Sequence, residues 1–154
     1  MSIDRIAVVG GGTMGNGIAH VAAQNGKAVR LLDVSAEVLE RATATIAKNL
    51  DRQIKKGTLD EAAKADILGR IETGTDLAGG AADADLVVEA VPERIELKHQ
   101  IFRALDAGAP EGAILATNTS SISITEIAAA TGRPDVTPVC ADPGAGQRQA
   151  LFRG

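Results

Sequence analysis

The sequence predicts an α/β fold of the Rossmann type, a doubly wound parallel sheet with helices on both faces. Short apolar segments of strand length alternate with longer helical segments, an alternation that is typical of parallel sheets built from right-handed crossovers. The first apolar segment, Ile6 to Val9, runs directly into Gly10, Gly12 and Gly15. These glycines have the G-x-G-x-x-G spacing of dinucleotide-binding proteins, so the same stretch predicts both the fold and a cofactor site.

Each glycine of the motif has a physical reason to be there. Gly10 allows the tight turn from strand to helix, Gly12 lets the backbone approach a pyrophosphate, and Gly15 lets the helix pack close to the strand. The helix that follows, predicted over 16–25, would direct its first N–H groups at the phosphates. Thr13 and Met14 complete the motif, so we expect them to contribute to the same cofactor contact.

A second predicted strand, Ala28 to Leu32, ends in Asp33, about 20 residues after Gly12. A carboxylate in this place accepts hydrogen bonds from the hydroxyls of the adenosine ribose and repels a 2′-phosphate. The sequence therefore predicts NAD rather than NADP as the cofactor.

The rest of the chain continues the alternation. Helices are predicted over 36–56, 59–68, 93–107 and 123–130, and strands over 71–73, 86–90 and 114–117, which gives the sheet order 3-2-1-4-5. Gly57 is a predicted helix C-cap, and Ser123 with Glu126 has the capping-box spacing. Residues 136–140 could add a short edge strand, because an edge position tolerates Pro138.

Composition narrows the classes of function. The 154 residues predict one Rossmann domain over 1–134, and 135–154 predict a poorly ordered tail because that stretch lacks a helical or strand period. A net charge of −4 and the lack of Trp and Tyr argue against nucleic acid as a partner. No segment has the length of a membrane span or the pattern of a signal peptide, so we expect a cytoplasmic protein without a membrane partner.

Few residues offer alternative chemistry. His20 and His99 lack the spacing of metal ligands and are interpreted as core or surface histidines. Cys140 has no identifiable base nearby and is expected to be a free thiol. No metal site is predicted.

Four motifs in order resemble the 3-hydroxyacyl-CoA dehydrogenase family, especially its bacterial 3-hydroxybutyryl-CoA members. They are the glycine motif, Leu32-Asp33-Val34, Glu89-Ala90-Val91-Pro92-Glu93 and Asn118-Thr119-Ser120-Ser121. The resemblance covers residue 3 to about residue 135, which corresponds to the N-terminal NAD-binding domain of that family. It implies an oxidoreductase of fatty-acid metabolism that acts on acyl-CoA, in a family that is homo-oligomeric through its helical C-terminal domain.

The resemblance also implies roles for single residues. Val91, Pro92, Glu93 and Lys98 match cofactor-binding positions, with Glu93 and Lys98 on the nicotinamide-side ribose and phosphates. Without the family, Glu93 would be an acid that complements a helix dipole, and Lys98 would be an ordinary solvated helix lysine.

The substrate positions follow in the same way. Ser120 matches the serine that hydrogen-bonds the 3-oxygen of the substrate, and Asn118 lies beside it. Asn49 and Lys56 match positions that contact CoA. Turn or capping chemistry for the serine, and a solvated basic helix end for Lys56, are the alternatives.

The resemblance stops before the catalytic base. Family members continue into a sixth strand that ends in a His-Phe-Phe-Asn-Pro segment, whose His is the general base and is oriented by a later Glu. Ala141 falls at the His position, and no histidine follows His99. A frameshifted or misassembled end, a truncation scar and a genuine divergent terminus all remain open. We therefore expect a domain that is inactive alone, and a non-catalytic dinucleotide-binding fragment or scaffold is the competing function.

Overall fold

The computed structural model describes residues 2–119, 122–133 and 139–140. The strands in this part of the chain are β1 (Arg5–Val9), β2 (Ala28–Leu32), β3 (Ile71–Gly74), β4 (Leu86–Glu89), β5 (Ile114–Thr117) and β6 (Val139–Cys140). The helices are α1 (Thr13–Gln24), α2 (Ala36–Lys55), α3 (Glu61–Gly69), α4 (Leu77–Gly80), α5 (Ile95–Gly108) and α6 (Ile124–Ala128). All strand pairs are parallel, in the order β3-β2-β1-β4-β5-β6. The predicted Rossmann-type sheet is confirmed, and β6 extends its predicted order.

The central strands are apolar on both faces, because helices cover both sides of the sheet. Ile6 and Val8 of β1 lie in one buried cluster with side chains of α1, α2 and α3. Ala7 and Val9 point the other way, into a second cluster with Phe102 and its neighbours on α4, α5 and α6. A strand that is buried on both faces shows a continuous apolar run, which is what the sequence of β1 contains.

The first three helices begin where a capping residue sets them. α1 begins at Thr13, earlier than the predicted residue 16, because Gly12 in extended conformation is its N-cap. α2 begins as predicted, and Gly57 just after it has a φ of +76°, as a C-terminal glycine requires. α3 begins at Glu61 rather than residue 59, because the Asp60 side chain accepts from the N–H of Ala63 at 2.7 Å.

The later helices differ more from the expectation. α4 was not predicted, since two glycines in four residues give little helical signal. Gly80 allows close packing, because a Cβ there would lie 2.4 Å from the Leu32 side chain. α5 begins at Ile95 rather than residue 93, and α6 ends at Ala128 rather than residue 130.

The predicted division at residue 134 remains a prediction. Within 135–154 the described residues are those of β6, which pairs with β5 through Ala116↔Val139 and Thr117↔Cys140. The remainder of the predicted tail, including Ala141, lies outside the described residues. In the part of the chain that is described, no helix combines the length and apolar character needed to cross a membrane. No group of three or more His, Cys, Asp or Glu side chains in that part is arranged to hold a metal ion.

Candidate functional site

The order of the sheet places a crevice between β1 and β4, where the direction of strand progression reverses. Ligands of doubly wound folds bind outside the carboxyl ends of the strands at this point. Gly10 follows β1 here, and its N–H donates to the carbonyl of Leu32 at 2.7 Å. The loops after β4 and β5 meet at the same edge, since the N–H of Asn118 donates to the carbonyl of Glu89 at 2.8 Å. The fold thus brings the glycine motif, the loop after β4 and Asn118 to one edge of the sheet.

The three motif glycines differ in what requires them. Gly10 has a φ of +106°, and a Cβ there would lie 2.6 Å from the carbonyl oxygen of Ala90. A Cβ on Gly15 would lie 1.6 Å from the carbonyl oxygen of Gly10, so only glycine lets α1 pack onto the loop. A Cβ on Gly12 would meet none of the described atoms within 4 Å. The neighbouring backbone of the protein therefore requires glycine at positions 10 and 15, whereas Gly12 borders open space that a ligand can enter.

The N-terminus of α1 has the character of an anion site. Among the described residues, no side chain caps this helix, and its first turn contains no acid. In contrast, Ser35 caps α2 and Asp60 caps α3. Thr13 and Met14 form the exposed first turn beside the open space at Gly12. Backbone N–H groups and the positive end of a helix dipole suit a pyrophosphate in this place.

Asp33 joins the glycine loop to the start of α2. One carboxylate oxygen accepts from the N–H of Gly11 at 2.9 Å, and the other accepts from the N–H of Ser35 at 2.9 Å. Each carboxylate oxygen can accept a further hydrogen bond. The half-buried side chain is therefore fixed in orientation and retains acceptor capacity for hydroxyl groups.

Lys98 and Glu93 belong to a cluster of charges that the sequence did not predict. Lys98 is fully buried on α5, so the alternative of a solvated helix lysine is wrong. Its ammonium contacts both carboxylate oxygens of Glu89, at 2.9 and 2.8 Å, and one oxygen of Glu93, at 3.1 Å. Glu89 is also fully buried, whereas the side chain of Glu93 is 41% exposed. Glu93 is therefore the member of the cluster that faces the crevice.

The other predicted cofactor residues, Val91 and Pro92, directly follow the carboxyl end of β4. Val91 packs against the cluster of α4, α5 and α6, and its side chain would lie 3.3 Å from a Cβ on Gly10. Pro92 is exposed beside it. Direct contact of these residues with a cofactor remains a prediction.

The predicted substrate residues fall in two places. Asn118 is half-buried at the end of β5, while Ser120 lies outside the described residues. Asn49 and Lys56 lie toward the far end of α2, so Asn49 is roughly 20 Å along the helix axis from its start near Asp33. The Asn49 side chain accepts from Arg52 at 3.2 Å, and Lys56 is exposed. A CoA-binding region that contains these two residues would therefore be separate from the crevice.

Neither histidine lies in a metal-like group of the described residues. The ring Nε2 of His20 lies 3.0 Å from Gln24 Oε1 on α1. Burial lowers the pKa of His20, and the hydrogen bond to Gln24 offsets part of that effect. Nε2 of His99 is buried and has no hydrogen-bond partner among the described residues. His20 is a buried residue of α1, and His99 is a partly buried residue of α5.

The sequence matches the family model for the 3-hydroxyacyl-CoA dehydrogenase NAD binding domain over residues 5–140. It is 50% identical over 133 residues to a 3-hydroxybutyryl-CoA dehydrogenase of Bradyrhizobium diazoefficiens, covering 86% of this chain and 45% of that protein. It is 42% identical over 138 residues to the mitochondrial hydroxyacyl-coenzyme A dehydrogenase of Rattus norvegicus, covering 86% and 44%. The chain thus spans about half the length of these curated relatives.

The fold is also that of solved enzymes. The crystal structure of (S)-3-hydroxybutyryl-CoA dehydrogenase from Ralstonia eutropha superposes with a TM-score of 0.83 at 45% sequence identity. That match covers 88% of this chain and 47% of the solved chain. Similarity therefore extends over the described sheet and its crevice.

Proposed function

The chain belongs to the 3-hydroxyacyl-CoA dehydrogenase family through its NAD-binding domain, and from that premise we propose a cofactor-binding and a catalytic role for it. It binds NAD in the crevice between β1 and β4. In the family reaction, a hydride passes between the 3-carbon of a 3-hydroxyacyl-CoA and NAD. The substrate class is an acyl-CoA thioester, and 3-hydroxybutyryl-CoA is the substrate that we propose to test first.

The residues of the crevice fit the two halves of NAD. The uncapped start of α1 beside Gly12 suits the pyrophosphate, and Asp33 suits the hydroxyls of the adenosine ribose. On the other side of the crevice, Glu93 suits the nicotinamide-side ribose, supported by Lys98. Bound NAD would supply the hydride acceptor.

The observation that carries the proposal is the combination of an open space at Gly12 with a fixed carboxylate at Asp33. Calorimetric titration of the chain with NAD and with NADP tests it. We expect NAD to bind at least about tenfold more tightly, because Asp33 repels a 2′-phosphate; a tenfold ratio corresponds to about 1.4 kcal/mol. Equal affinities for the two cofactors would refute the proposed basis of selectivity.

On the substrate side, Ser120 and Asn118 are the residues to which we assign the 3-oxygen of the acyl-CoA. A serine hydroxyl can donate to this oxygen, and the Asn118 amide can orient the same group from the end of β5. Asn49 and Lys56 are assigned to the CoA moiety, where the exposed ammonium of Lys56 would pair with phosphate. These assignments rest on the family positions and are tested by substitution.

A second candidate function is dinucleotide binding without turnover. Its supporting observation is that Ala141 falls at the position of the general-base His of the family. A missing general base costs about 10²- to 10⁴-fold in rate. Initial rates of NADH formation with 3-hydroxybutyryl-CoA separate the two functions. A rate at least about a hundredfold below that of a complete family enzyme supports binding without turnover, and a family-typical rate refutes it.

A further inference from the structure

The carboxyl end of β4 contains a fully buried ion pair. Glu89 and Lys98 both have fully buried side chains, and each buried ion carries a large desolvation penalty. Apolar residues of similar volume often replace such a pair without loss of stability. The pair lies at the crevice where the sheet order reverses, directly behind Glu93. Its location points to a role at the cofactor site.

The contacts of Lys98 leave its ammonium no capacity for another acceptor. An ammonium has three N–H donors, and three carboxylate oxygens lie within 3.1 Å of it, two on Glu89 and one on Glu93. The side chain also has no exposed surface. In this arrangement Lys98 holds the carboxylate of Glu93, and any effect of Lys98 on a ligand passes through that carboxylate.

Glu89 is the centre of the cluster. Beside the two contacts with Lys98, one of its oxygens accepts from the N–H of Val91 at 2.6 Å, and the other accepts from the hydroxyl of Thr117 at 2.5 Å. Four donors thus fill the acceptor positions of one carboxylate. Glu89 connects the ends of β4 and β5, the loop after β4, and α5.

Glu93 is held from two sides. One of its oxygens contacts Lys98, and the other accepts from the hydroxyl of Thr119 at 2.6 Å. The same hydroxyl oxygen accepts from the N–H of Ile122 at 3.1 Å, so the start of the segment before α6 is tied to this group. The carboxylate of Glu93 is thereby fixed while remaining partly exposed.

We infer that Glu89 is a positioning residue for the nicotinamide half of the cofactor site. Its buried carboxylate fixes Lys98 and the Val91 backbone, and Lys98 fixes the Glu93 carboxylate in the crevice. This inference rests on the proposed NAD binding. It assigns to Glu89 no contact with the adenosine half, which the glycine loop and Asp33 bind.

The substitution Glu89→Gln tests the inference, because it preserves the shape but places an amide NH2 among groups that all donate. Calorimetric titrations use three ligands: ADP, which lacks the nicotinamide-side ribose, ADP-ribose, which has it, and NAD. We expect the affinity for ADP to stay within about twofold, and the affinities for ADP-ribose and NAD to fall at least about tenfold, as loss of a charged hydrogen bond allows. Glu72→Gln on β3 is the control for the loss of one negative charge, since the exposed carboxylate of Glu72 pairs with Arg30 of β2 at 3.4 Å. It should change none of the three affinities.

Each outcome bears on the inference. An equal loss for all three ligands would mean that Glu89 only stabilises the fold, and an unchanged NAD affinity would mean that the cluster does not act on the cofactor; either result overturns the inference. Wild-type protein that binds no NAD overturns the proposed function as well, so the two failures are distinguishable. If Glu89→Gln does not fold, Thr117→Val decides, because it removes one donor to Glu89 and keeps the β-branched shape. It should weaken ADP-ribose and NAD by about threefold to tenfold and leave ADP unchanged; an unchanged NAD affinity again overturns the inference.

Discussion

Replacing Asp33 by alanine removes the residue on which the predicted preference for NAD depends. The carboxylate accepts from the N–H groups of Gly11 and Ser35, each at 2.9 Å, and is assigned to the hydroxyls of the adenosine ribose. A hydrogen bond to a charged group contributes about 1.5–3 kcal/mol, so loss of the ribose contact should weaken NAD binding about 10- to 150-fold. NADP should lose less, because the substitution also removes repulsion of the 2′-phosphate. The ratio of the two affinities should therefore fall toward one.

Titration calorimetry measures both affinities directly, and it is needed because the chain has no Trp or Tyr whose fluorescence could report binding. Asp85→Ala is the matched control. The Asp85 carboxylate also accepts from two backbone N–H groups, those of Asp4 at 3.0 Å and Arg5 at 2.9 Å, but at the amino ends of the strands. Both variants should lower the free energy of unfolding, and only Asp33→Ala should change the affinity for NAD. The reasoning is refuted if Asp33→Ala binds NAD as wild type does, or if the two variants weaken it equally.

Two further predictions use groups outside the ribose contact. Gly15→Ala should abolish NAD binding and destabilise the fold, because its Cβ would lie 1.6 Å from the Gly10 carbonyl oxygen. Gly17→Ala on the same helix is the control, because a Cβ there meets none of the described atoms of neighbouring elements within 4 Å. This variant should bind NAD normally in the same titration. Hydrogen bonds from the N–H groups of Arg5 and Asp4 hold the pKa of Asp85 below the ordinary value of an aspartate. Asp85 therefore stabilises the fold at pH values above about 4 and loses that contribution as the pH falls through its lowered pKa. Urea unfolding between about pH 2 and pH 6 should show a smaller loss in Asp85→Asn, and an identical pH dependence would contradict the argument.

The strands were predictable because their signal is local and comes from burial on both faces. Strands β2 and β5 have the bounds that the sequence indicates, since each is a short run of mainly apolar residues, interrupted in β2 by the partly buried Arg30. Helix starts were less predictable, because a single capping residue decides them. Gly12 begins α1 inside the motif itself, and Asp76 caps the short α4, whose two glycines suggest a loop.

The residues of the site also differ in how well the sequence predicts them. The spacing of Gly10, Gly12 and Gly15 and the place of Asp33 follow from a strand, a turn, a helix and a second strand that are consecutive in the sequence. The cluster around Glu89 instead joins β4, β5 and α5, and no local pattern shows that these elements bring their charges together. One signal was present, because Lys98 lies on the apolar stripe of α5 with its buried residues (Ile101, Phe102 and Leu105). A lysine at that helical spacing indicates a buried partner of opposite charge.

The two halves of the crevice should respond differently to substitution. The adenosine half is built from one continuous stretch, so its geometry depends on local backbone conformation at Gly10 and on the two N–H contacts of Asp33. The nicotinamide half depends on the docking of α5, because the Glu93 carboxylate is held by Lys98 from that helix. A substitution that loosens α5 against the sheet should therefore weaken binding of NAD before it weakens binding of ADP. The selectivity between these two ligands reports the packing of α5, while the selectivity between NAD and NADP reports Asp33.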